Sequence, residues 1–248
     1  VGAVSLGMQG KEITDVEDLL SAGAAALSDD GVPLMSAEIM REALIRMKPS
    51  GLQILSHSED GDLVRAGVMN EGALSRKLGY KGRPAVAEEL LLVRDGMLAA
   101  DVGGYVHVCH VSTKGSVDYI RRMKAAGIHV TAETCPQYFT LTEEEIEKQG
   151  AMAKVNPPLR TRADVEAILE GLEDGTLDCI ITDHAPHTVE EKARELPKAP
   201  SGMVGLETSL ALSLTVLHHQ LGWPLMKVLR AMSTAPAGIL QLDAGSLR

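Results

Sequence analysis

Polar side chains that could bind a metal ion or transfer a proton come directly after several short apolar runs of this sequence. They are Asp29, Asp30, His57, His110, Glu133, Asp183 and His184. Imidazole nitrogens and carboxylate oxygens are good zinc ligands, and a site with an open coordination position leaves room for water. A zinc ion lowers the pKa of that water towards neutrality and so makes it a nucleophile. Residues of these types therefore indicate zinc-dependent hydrolysis, provided that the fold brings them together.

The apolar runs that precede these side chains are predicted to be strands, and helical patterns separate them. The strands are expected at about 24–27, 52–56, 105–109, 128–132 and 179–182. The helices are expected at about 15–21, 36–47, 85–99, 115–125, 161–172, 206–220 and 224–232. Strand–helix–strand repetition implies parallel strands that are joined by right-handed crossovers.

This alternation predicts an α/β fold, and the later part of a (β/α)8 TIM barrel accounts for it best. Residues 1–5 read like the end of a strand that is already under way. In a barrel the carboxyl ends of the strands converge on one face, where active sites are built. An open doubly wound sheet is the structural alternative. The polar loop at 188–201 is too long for a tight connection, so it is expected to cover a site.

Each of these polar residues has an ordinary explanation when it is taken alone. A histidine at a strand end is more often a hydrogen-bonded structural residue than a ligand, and an Asp-Asp-Gly run such as 29–31 is more often a turn. Two histidines and two aspartates at four strand ends, His57, His110, Asp30 and Asp183, favour a shared metal site. His107 is predicted to point away from the barrel interior if His110 faces the site. Cys135 is predicted to be a small apolar filler.

The composition restricts the classes of partner. The 248 residues have a formal net charge of −10, which argues against nucleic acid or an anionic membrane as a partner. No apolar run reaches the roughly 18 residues that span a bilayer. The three cysteines are far apart and form no CxxC pair, which favours a reducing cytoplasm. The first residue is not Met, and residues 1–248 are predicted to be a single catalytic barrel domain that is truncated at both ends.

Seven motifs occur in order along almost the whole chain. They are Ser28-Asp-Asp-Gly31, Ser56-His-Ser-Glu-Asp60, His110-Val-Ser-Thr113, Glu133-Thr-Cys-Pro-Gln137, Asn156-Pro-Pro-Leu-Arg160, Asp183-His-Ala-Pro-His187 and Gly202-Met-Val-Gly-Leu-Glu-Thr208. Any one of them is a weak signal, but the ordered series resembles that of the class I dihydroorotases. The resemblance implies a metal-dependent amidohydrolase barrel that binds one or two zinc ions.

The resemblance also implies roles for individual residues. His57 and His110 match metal-binding histidines of the family, and Asp30 matches a carboxylate that bridges two metal ions. Asp183 matches the aspartate that binds metal and transfers the proton. The positions expected to hold the substrate ring and its carbonyl groups are Asn156, His187 and Gly202. The implied reaction is the reversible interconversion of L-dihydroorotate and N-carbamoyl-L-aspartate in de novo pyrimidine biosynthesis.

Some parts of the family pattern are missing from this sequence or differ within it. It has neither the His-x-His metal pair expected on the first strand nor the arginine expected to bind the substrate carboxylate, so the chain alone is predicted to be nearly inactive. Gln137 stands where many members of the family have His. Ser201 stands where an aromatic residue is common. These differences concern contacts with the substrate more than the metal site.

Two other functions stay open at this point. One is a different cyclic amidase, a hydantoinase or an allantoinase, although such enzymes typically have a lysine at the position of Asp30. The other is a dihydroorotase-like scaffold subunit without catalytic activity, which would be expected to have lost metal ligands that this chain keeps. The expected partners are a small-molecule substrate and, for assembly, a second copy of the chain or another pyrimidine enzyme.

Overall fold

The computed structural model describes residues 1–246, in which a parallel sheet of five strands is covered by helices. The strands are β1 (Ala26–Ser28), β2 (Gln53–Ser56), β3 (Met69–Asn70), β4 (Gly82–Arg83), β5 (Val106–Val108), β6 (Val130–Thr134) and β7 (Cys179–Ile180). The large sheet has the order β1-β2-β5-β6-β7, and every neighbouring pair in it is parallel. The predicted α/β fold with a parallel sheet is confirmed.

The sheet continues beyond β1 towards the start of the chain. Gly2 forms a parallel bridge with Leu27. The Gly2 N–H donates to the Ala26 carbonyl over 2.9 Å, and the Gly2 carbonyl accepts from the Ser28 N–H over 2.8 Å. Residues 1–5 therefore include the strand-like segment that the sequence predicted, although it forms a single bridge to β1.

Helices connect the strands and cover one face of the sheet. They are α1 (Val16–Ser21), α2 (Ala37–Met47), α3 (Ala73–Leu78), α4 (Ala85–Val102), α5 (Lys114–Ala125), α6 (Pro136–Thr140), α7 (Glu145–Gln149), α8 (Arg162–Asp174), α9 (Val189–Lys192), α10 (Ser209–Ser213), α11 (Leu225–Met232) and α12 (Thr234–Ile239). Ser36 Oγ accepts from the Ile39 N–H over 3.2 Å, and Thr161 Oγ1 accepts from the Asp164 N–H over 3.4 Å. Both side chains cap the starts of their helices and satisfy backbone donors that a helix start leaves without partners.

The two faces of the large sheet differ in chemistry. Val106 and Val130 lie in register and belong to the main apolar core, which also includes residues of the covering helices. The residues that follow them, His107 and Thr131, are also in register and lie on the opposite face, which we call the inner face. Because successive side chains of a strand point to opposite faces, the alternation separates an aliphatic core from a polar interior.

The orientation predicted for His107 was wrong. The prediction extended strand alternation from His107 to His110, but β5 ends at Val108 and His110 has a φ of 37°. The chain therefore leaves the strand before His110, and alternation no longer relates the two histidines. His107 lies on the inner face, where its ring contacts Thr131 and Glu133.

Several short elements were not predicted. Strands β3 and β4 form a separate two-stranded parallel sheet, and α3, α6 and α7 have six, five and five residues. Elements of this length contain too few residues for a hydrophobic period to be recognised. The helix expected at 206–220 consists of α10 and a π-helical segment, Leu214–Gln220, and the loop expected at 188–201 contains α9.

Within residues 1–246, no helix is both long enough and apolar enough to cross a membrane. The 18-residue helix α4, for example, buries the charged residues Glu88 and Asp95.

Candidate metal centre

Three of the predicted metal ligands come together at the carboxyl ends of neighbouring strands. Asp30 follows β1, His57 follows β2 and His110 follows β5. His57 Nδ1 and His110 Nε2 are 2.9 Å apart, and Asp30 Oδ1 lies 3.3 Å from the first and 3.5 Å from the second. We call these three residues the strand-end cluster. Its two imidazoles are buried, whereas the Asp30 side chain is 58% exposed.

The two adjacent aspartates after β1 have separate roles. The Asp29 carboxylate accepts hydrogen bonds from the N–H groups of Val4 and Ser5 and from the Ser5 hydroxyl. These bonds hold Val4 and Ser5 next to the carboxyl end of β1. Asp30, the next residue, is the one that reaches the two histidines.

Unusual backbone conformations occur at two of the predicted site residues. His110 has a φ of 37° and Asp183 has a φ of 44°, which lie in the left-handed region that favours glycine. Such conformations cost about 1–3 kcal/mol each and cluster at functional sites. At the ends of β5 and β7 they turn the chain out of its strand path, so that each side chain is aimed differently from the strand residues before it.

The strand-end cluster fits a divalent metal ion. Its three potential ligand atoms all lie within 4.8 Å of one another. Two imidazole nitrogens that face each other, with a carboxylate oxygen beside them, are ligands that zinc prefers. The other ring nitrogen, His110 Nδ1, is buried and has no hydrogen-bond partner among the residues that the structure describes. The polar contacts of this ring are therefore made through Nε2, towards His57 and Asp30.

Interactions within the site shift the pKa values of its acids and bases. Hydrogen bonds from His110 and His57 hold the pKa of the Asp30 carboxyl far below its usual range, although partial burial opposes this. Burial tends to lower the pKa of His57, but the carboxylates of Asp30 and Glu59 outweigh it and raise that pKa to about 9. Burial raises the pKa of Asp183, and the nearby histidines only partly oppose the change. The site thus separates an ionised carboxylate, Asp30, from one that holds its proton more strongly, Asp183.

Asp183 and Asn156 lie beside the strand-end cluster. Asp183 follows β7, and its carboxylate interacts with the charges of His110, Asp30 and His57. It does not belong to the group of ligand atoms within 4.8 Å of one another. Asn156 Nδ2 lies 3.4 Å from His57 Nε2, the nitrogen that faces away from Asp30. The structure therefore places both residues next to the predicted ligands.

His187 and Gly202 adjoin each other on two loops. His187 Nε2 lies 2.9 Å from the Ser201 carbonyl oxygen. Gly202 has a φ of 136°, and a Cβ atom there would collide with the Ala185 carbonyl oxygen and lie 3.2 Å from His187 Nε2. The Gly202 N–H donates to the Lys154 carbonyl over 2.9 Å. Only glycine allows these two loops to approach so closely.

A network behind His57 contains two residues that the sequence analysis did not single out, Glu59 and Arg83. Glu59 Oε2 lies 3.7 Å from His57 Nε2 and accepts from Asn156 Nδ2 over 3.1 Å. Arg83 Nη1 donates to both Glu59 oxygens, over 3.0 and 2.9 Å, and to Asn156 Oδ1. A carboxylate next to the far nitrogen of a ligating histidine fixes the tautomer and orientation of the ring. Glu59 could have been found from its motif, whereas Arg83 comes from β4, which no pattern predicted.

Known proteins resemble this chain along its whole length. Residues 1–116 match the family described as dihydro-orotase-like. The chain is 48% identical to the dihydroorotase of Endomicrobium trichonymphae and 49% identical to that of Pelotomaculum thermopropionicum, and all of the chain is matched in both. It covers 59% of the first protein and 58% of the second, so it spans less than two thirds of their length.

Solved structures of related enzymes have the same fold. The L-hydantoinase (dihydropyrimidinase) from Arthrobacter aurescens matches with a TM-score of 0.83 and 25% identity, over 100% of this chain and 57% of that one. The dihydropyrimidinase from Brevibacillus agri matches with a TM-score of 0.80 and 25% identity, over 94% of this chain and 54% of that one. The predicted fold, part of a TIM barrel of the metal-dependent amidohydrolase type, is thereby confirmed.

Proposed function

We propose that the chain belongs to the dihydroorotase-like family and forms the metal-binding part of a dihydroorotase. The reaction is the reversible hydrolysis of L-dihydroorotate to N-carbamoyl-L-aspartate, a step of de novo pyrimidine biosynthesis. The observation that supports it most directly is the convergence of Asp30, His57 and His110, with Asp183 beside them. The chain spans 58–59% of the length of these dihydroorotases, and the activity is proposed for the natural protein that contains it.

We infer that the metal is zinc, present as one or two ions. Two imidazoles and a carboxylate, with a second carboxylate at Asp183, make a set of nitrogen and oxygen ligands that suits zinc. A bound zinc ion would polarise the substrate carbonyl and lower the pKa of water. Asp30, His57, His110 and Asp183 would hold it, and Glu59 would orient the His57 ring from behind.

Asp183 is the residue that we assign to proton transfer. Hydrolysis requires that a proton leaves the attacking water and that the ring nitrogen gains one as the amide bond breaks. A general base works best when its pKa lies near the operating pH, and burial raises the pKa of Asp183 in that direction. The charges of His110 and Asp30 both affect the pKa of its carboxyl group. We therefore assign Asp183 a place next to the water that the metal would hold.

The substrate ring is assigned to the space between Asn156 and the loops of His187 and Gly202. The Asn156 amide is held rigidly, since Glu59 accepts from its Nδ2 and Arg83 donates to its Oδ1. The Gly202 N–H already donates within the protein, so its carbonyl oxygen is the group that we assign to a ring N–H. Fixed donors and acceptors of this kind set the orientation of a flat ring without reorganisation when the substrate binds.

A hydantoinase is the second candidate, because solved hydantoinase structures match the fold with TM-scores up to 0.83. The sequence comparison favours a dihydroorotase, since the identity is 48–49% to dihydroorotases and 25% to the L-hydantoinase. Asp30 also favours it, because hydantoinases typically have a lysine at that position.

The test is a steady-state assay of the natural protein that contains these residues, supplied with zinc. We expect turnover of L-dihydroorotate and N-carbamoyl-L-aspartate and poor turnover of hydantoin and allantoin. Asn156→Ala and His187→Ala should reduce turnover more than the control His218→Ala. His218 lies in the π-helical segment Leu214–Gln220, and its Nδ1 is 2.6 Å from the Trp223 carbonyl oxygen. A preference for hydantoin would transfer the assignment to the second candidate, and no turnover of any cyclic amide would favour a scaffold subunit.

We also infer the setting in which the protein works. Residues 1–248 are assigned to a single catalytic domain, because the strands from β1 to β7 that form the large sheet share one core. The cysteines Cys109, Cys135 and Cys179 are all free and buried, which supports a reducing cytoplasm. A second copy of the chain or another pyrimidine enzyme is the proposed assembly partner, and the native mass in solution would decide between them.

A further inference from the structure

A second group of potential metal ligands lies within the strands rather than at their ends. His107 of β5, Glu133 of β6 and Cys179 of β7 have ligand atoms within 4.8 Å of one another. His107 Nε2 lies 3.0 Å from Glu133 Oε2, and Cys179 Sγ lies 3.9 Å from the same oxygen. We call these residues the interior cluster. The proposed reaction uses none of them.

The register of the sheet makes these side chains neighbours. Glu133 is paired with Cys179 across β6 and β7, and His107 is paired with Thr131 across β5 and β6. Thr131 and Glu133 are two residues apart on one strand, so they share the inner face. Strands therefore position all three donors, and donors on strands are held more rigidly than donors on loops.

The interior cluster is buried. His107 is 2% exposed and Cys179 is 1% exposed, while the Glu133 side chain is 14% exposed. A buried imidazole and carboxylate could form an ordinary hydrogen bond without any ion. The thiol adds little to such a pair, because sulfur is a weak donor and lies 3.9 Å from the carboxylate. A cation would use all three groups.

Thr131 gives the histidine the support that a metal ligand needs. Thr131 Oγ1 lies 2.7 Å from His107 Nδ1. A ligating histidine almost always has its other ring nitrogen hydrogen-bonded in this way. Nε2, which faces Glu133, is then free to bind an ion. Thr131 also lines a cavity of about 990 Å³ at the amino end of the strands, so open space reaches the residue that supports His107.

We propose that His107, Glu133 and Cys179 form a second metal site, separate from the strand-end cluster, for a borderline-soft divalent ion such as zinc. In a tetrahedral zinc site with bonds of about 2.0–2.3 Å, neighbouring ligand atoms are about 3.3–3.8 Å apart. The measured separations of 3.0 and 3.9 Å bracket that range. A sulfur ligand next to nitrogen and oxygen favours zinc over magnesium or calcium. An ion bound to three neighbouring strands stabilises the sheet and does not meet the substrate.

Binding releases a proton from Cys179. Burial and the Glu133 carboxylate raise the pKa of this thiol well above its usual value, so without an ion the sulfur stays protonated. Metals bind the thiolate, so an ion displaces the proton to solvent as the sulfur–metal bond forms.

Cobalt(II) is the probe for this site, because a cobalt–thiolate bond gives a near-ultraviolet charge-transfer band. The strand-end cluster and Asp183 contain only nitrogen and oxygen ligands and cannot produce that band. When the metal-free natural protein is titrated with cobalt(II), we expect the band in the wild type and in His57→Asn. Cys179→Ser should lose it, and Cys135→Ser should keep it, because Cys135 is also fully buried but belongs to a different apolar cluster.

A second variant keeps the test decisive if Cys179→Ser proves unstable by circular dichroism. Thr131→Val retains all three ligands but removes the hydrogen bond to His107, and it should weaken the cobalt(II) affinity measured at the band about 10–100-fold. No band in the wild type, a band that persists in Cys179→Ser, or unchanged affinity in Thr131→Val would each overturn the proposal. The titration needs no substrate, so its outcome is independent of dihydroorotase activity.

Discussion

The strand-end cluster and the interior cluster belong to one sheet but place similar ligands in different surroundings. His107 and His110 are close in sequence, yet the first lies inside β5 and the second follows it. The strand-end ligands come after their strands and include an Asp30 side chain that is 58% exposed. The interior ligands lie within strands, where His107 and Cys179 are at most 2% exposed.

This difference shows how one sheet can separate catalysis from stability. A ligand that follows a strand can adopt an unusual backbone conformation, as His110 does, and stays within reach of a substrate. A ligand inside a strand, such as His107, is held by pairing on both sides and is shielded from any substrate. Loss of strand-end groups should therefore reduce turnover, whereas loss of interior groups should reduce stability and metal content.

The largest effect that we expect is on kcat, and it distinguishes the strand-end side of the sheet from the interior cluster. Asp183→Asn should lower kcat for L-dihydroorotate about 10²–10⁴-fold, because an amide cannot accept the proton. Cys179→Ser, the matched change in the interior cluster, should leave kcat nearly unchanged. The measurement is steady-state kinetics of both variants in the natural protein at saturating zinc. Equal losses in the two variants would contradict the separation.

The second effect concerns Glu59, the carboxylate that lies behind the His57 ring of the strand-end cluster. Glu59→Gln should weaken zinc binding there about 10–100-fold, because the His57 ring loses the carboxylate that orients it. Competition with a chelating dye measures the affinity, and the cobalt–thiolate band of the interior cluster should not change.

Glu88→Gln is the control for Glu59→Gln. Glu88 is also a buried glutamate, but it accepts from the N–H groups of Ser112 and Thr113 and does not contact His57. Its substitution should lower stability and leave zinc affinity unchanged. If both glutamates affect zinc affinity equally, Glu59 acts through general stability and not through His57.

The large sheet could be predicted because its signals are local. Apolar runs alternate with helical patterns, and the caps Ser36 and Thr161 satisfy backbone donors within their own helices. The small sheet of β3 and β4 has no comparable signal, since each strand has two residues and their pairing depends on tertiary contacts. The apolar pattern of Leu214–Gln220 predicted an α-helix, but the segment forms a π-helix with different backbone hydrogen bonds.

In the candidate site, too, residues with a local sequence signal could be predicted and residues placed by tertiary contacts could not. Asp30, His57 and His110 could be singled out because each directly follows a predicted strand, and the ends of parallel strands meet at one edge. Arg83 could not, because it contacts Asn156 across 73 positions of sequence and no periodicity relates them. The orientation of His107 was missed because alternation holds only as far as the strand extends.

A third prediction tests whether the close approach of the His187 and Gly202 loops is needed for turnover. Gly202→Ala should destabilise the protein by about 1–3 kcal/mol and reduce turnover, because the new Cβ would collide with the Ala185 carbonyl oxygen and press on His187. Gly175→Ala is the control: Gly175 also has a positive φ, 81°, but its Cβ would meet open space. Denaturant unfolding and kinetics on both variants measure the effect. If Gly175→Ala reduces turnover as much, backbone strain alone and not the loop contact explains the loss.

The smallest effect concerns thermal stability in the absence of metal. Burial raises the pKa of Asp183 above its usual value of 3.8 in the folded protein, so the folded state binds a proton more strongly than the unfolded state does. The stability that this proton contributes is complete below about 3.8 and is lost as the pH rises through the raised pKa. Asp183→Asn cannot lose it, so the variant should have a higher Tm than the wild type at neutral pH and an equal Tm near pH 3. Each kcal/mol corresponds to about 2–4 °C for a protein of this size.

Asp30→Asn should have the opposite effect on thermal stability at neutral pH. Hydrogen bonds from His110 and His57 lower the pKa of Asp30, so the ionised carboxylate stabilises the folded protein above its usual pKa and the substitution should lower the Tm there. Calorimetry of both variants with a chelator, from about pH 3 to pH 8, measures the two signs. If both substitutions shift the Tm in the same direction at neutral pH, the two aspartates do not have the opposite electrostatic surroundings that the structure gives them. The division between an ionised ligand and a proton-holding base would then have to be abandoned.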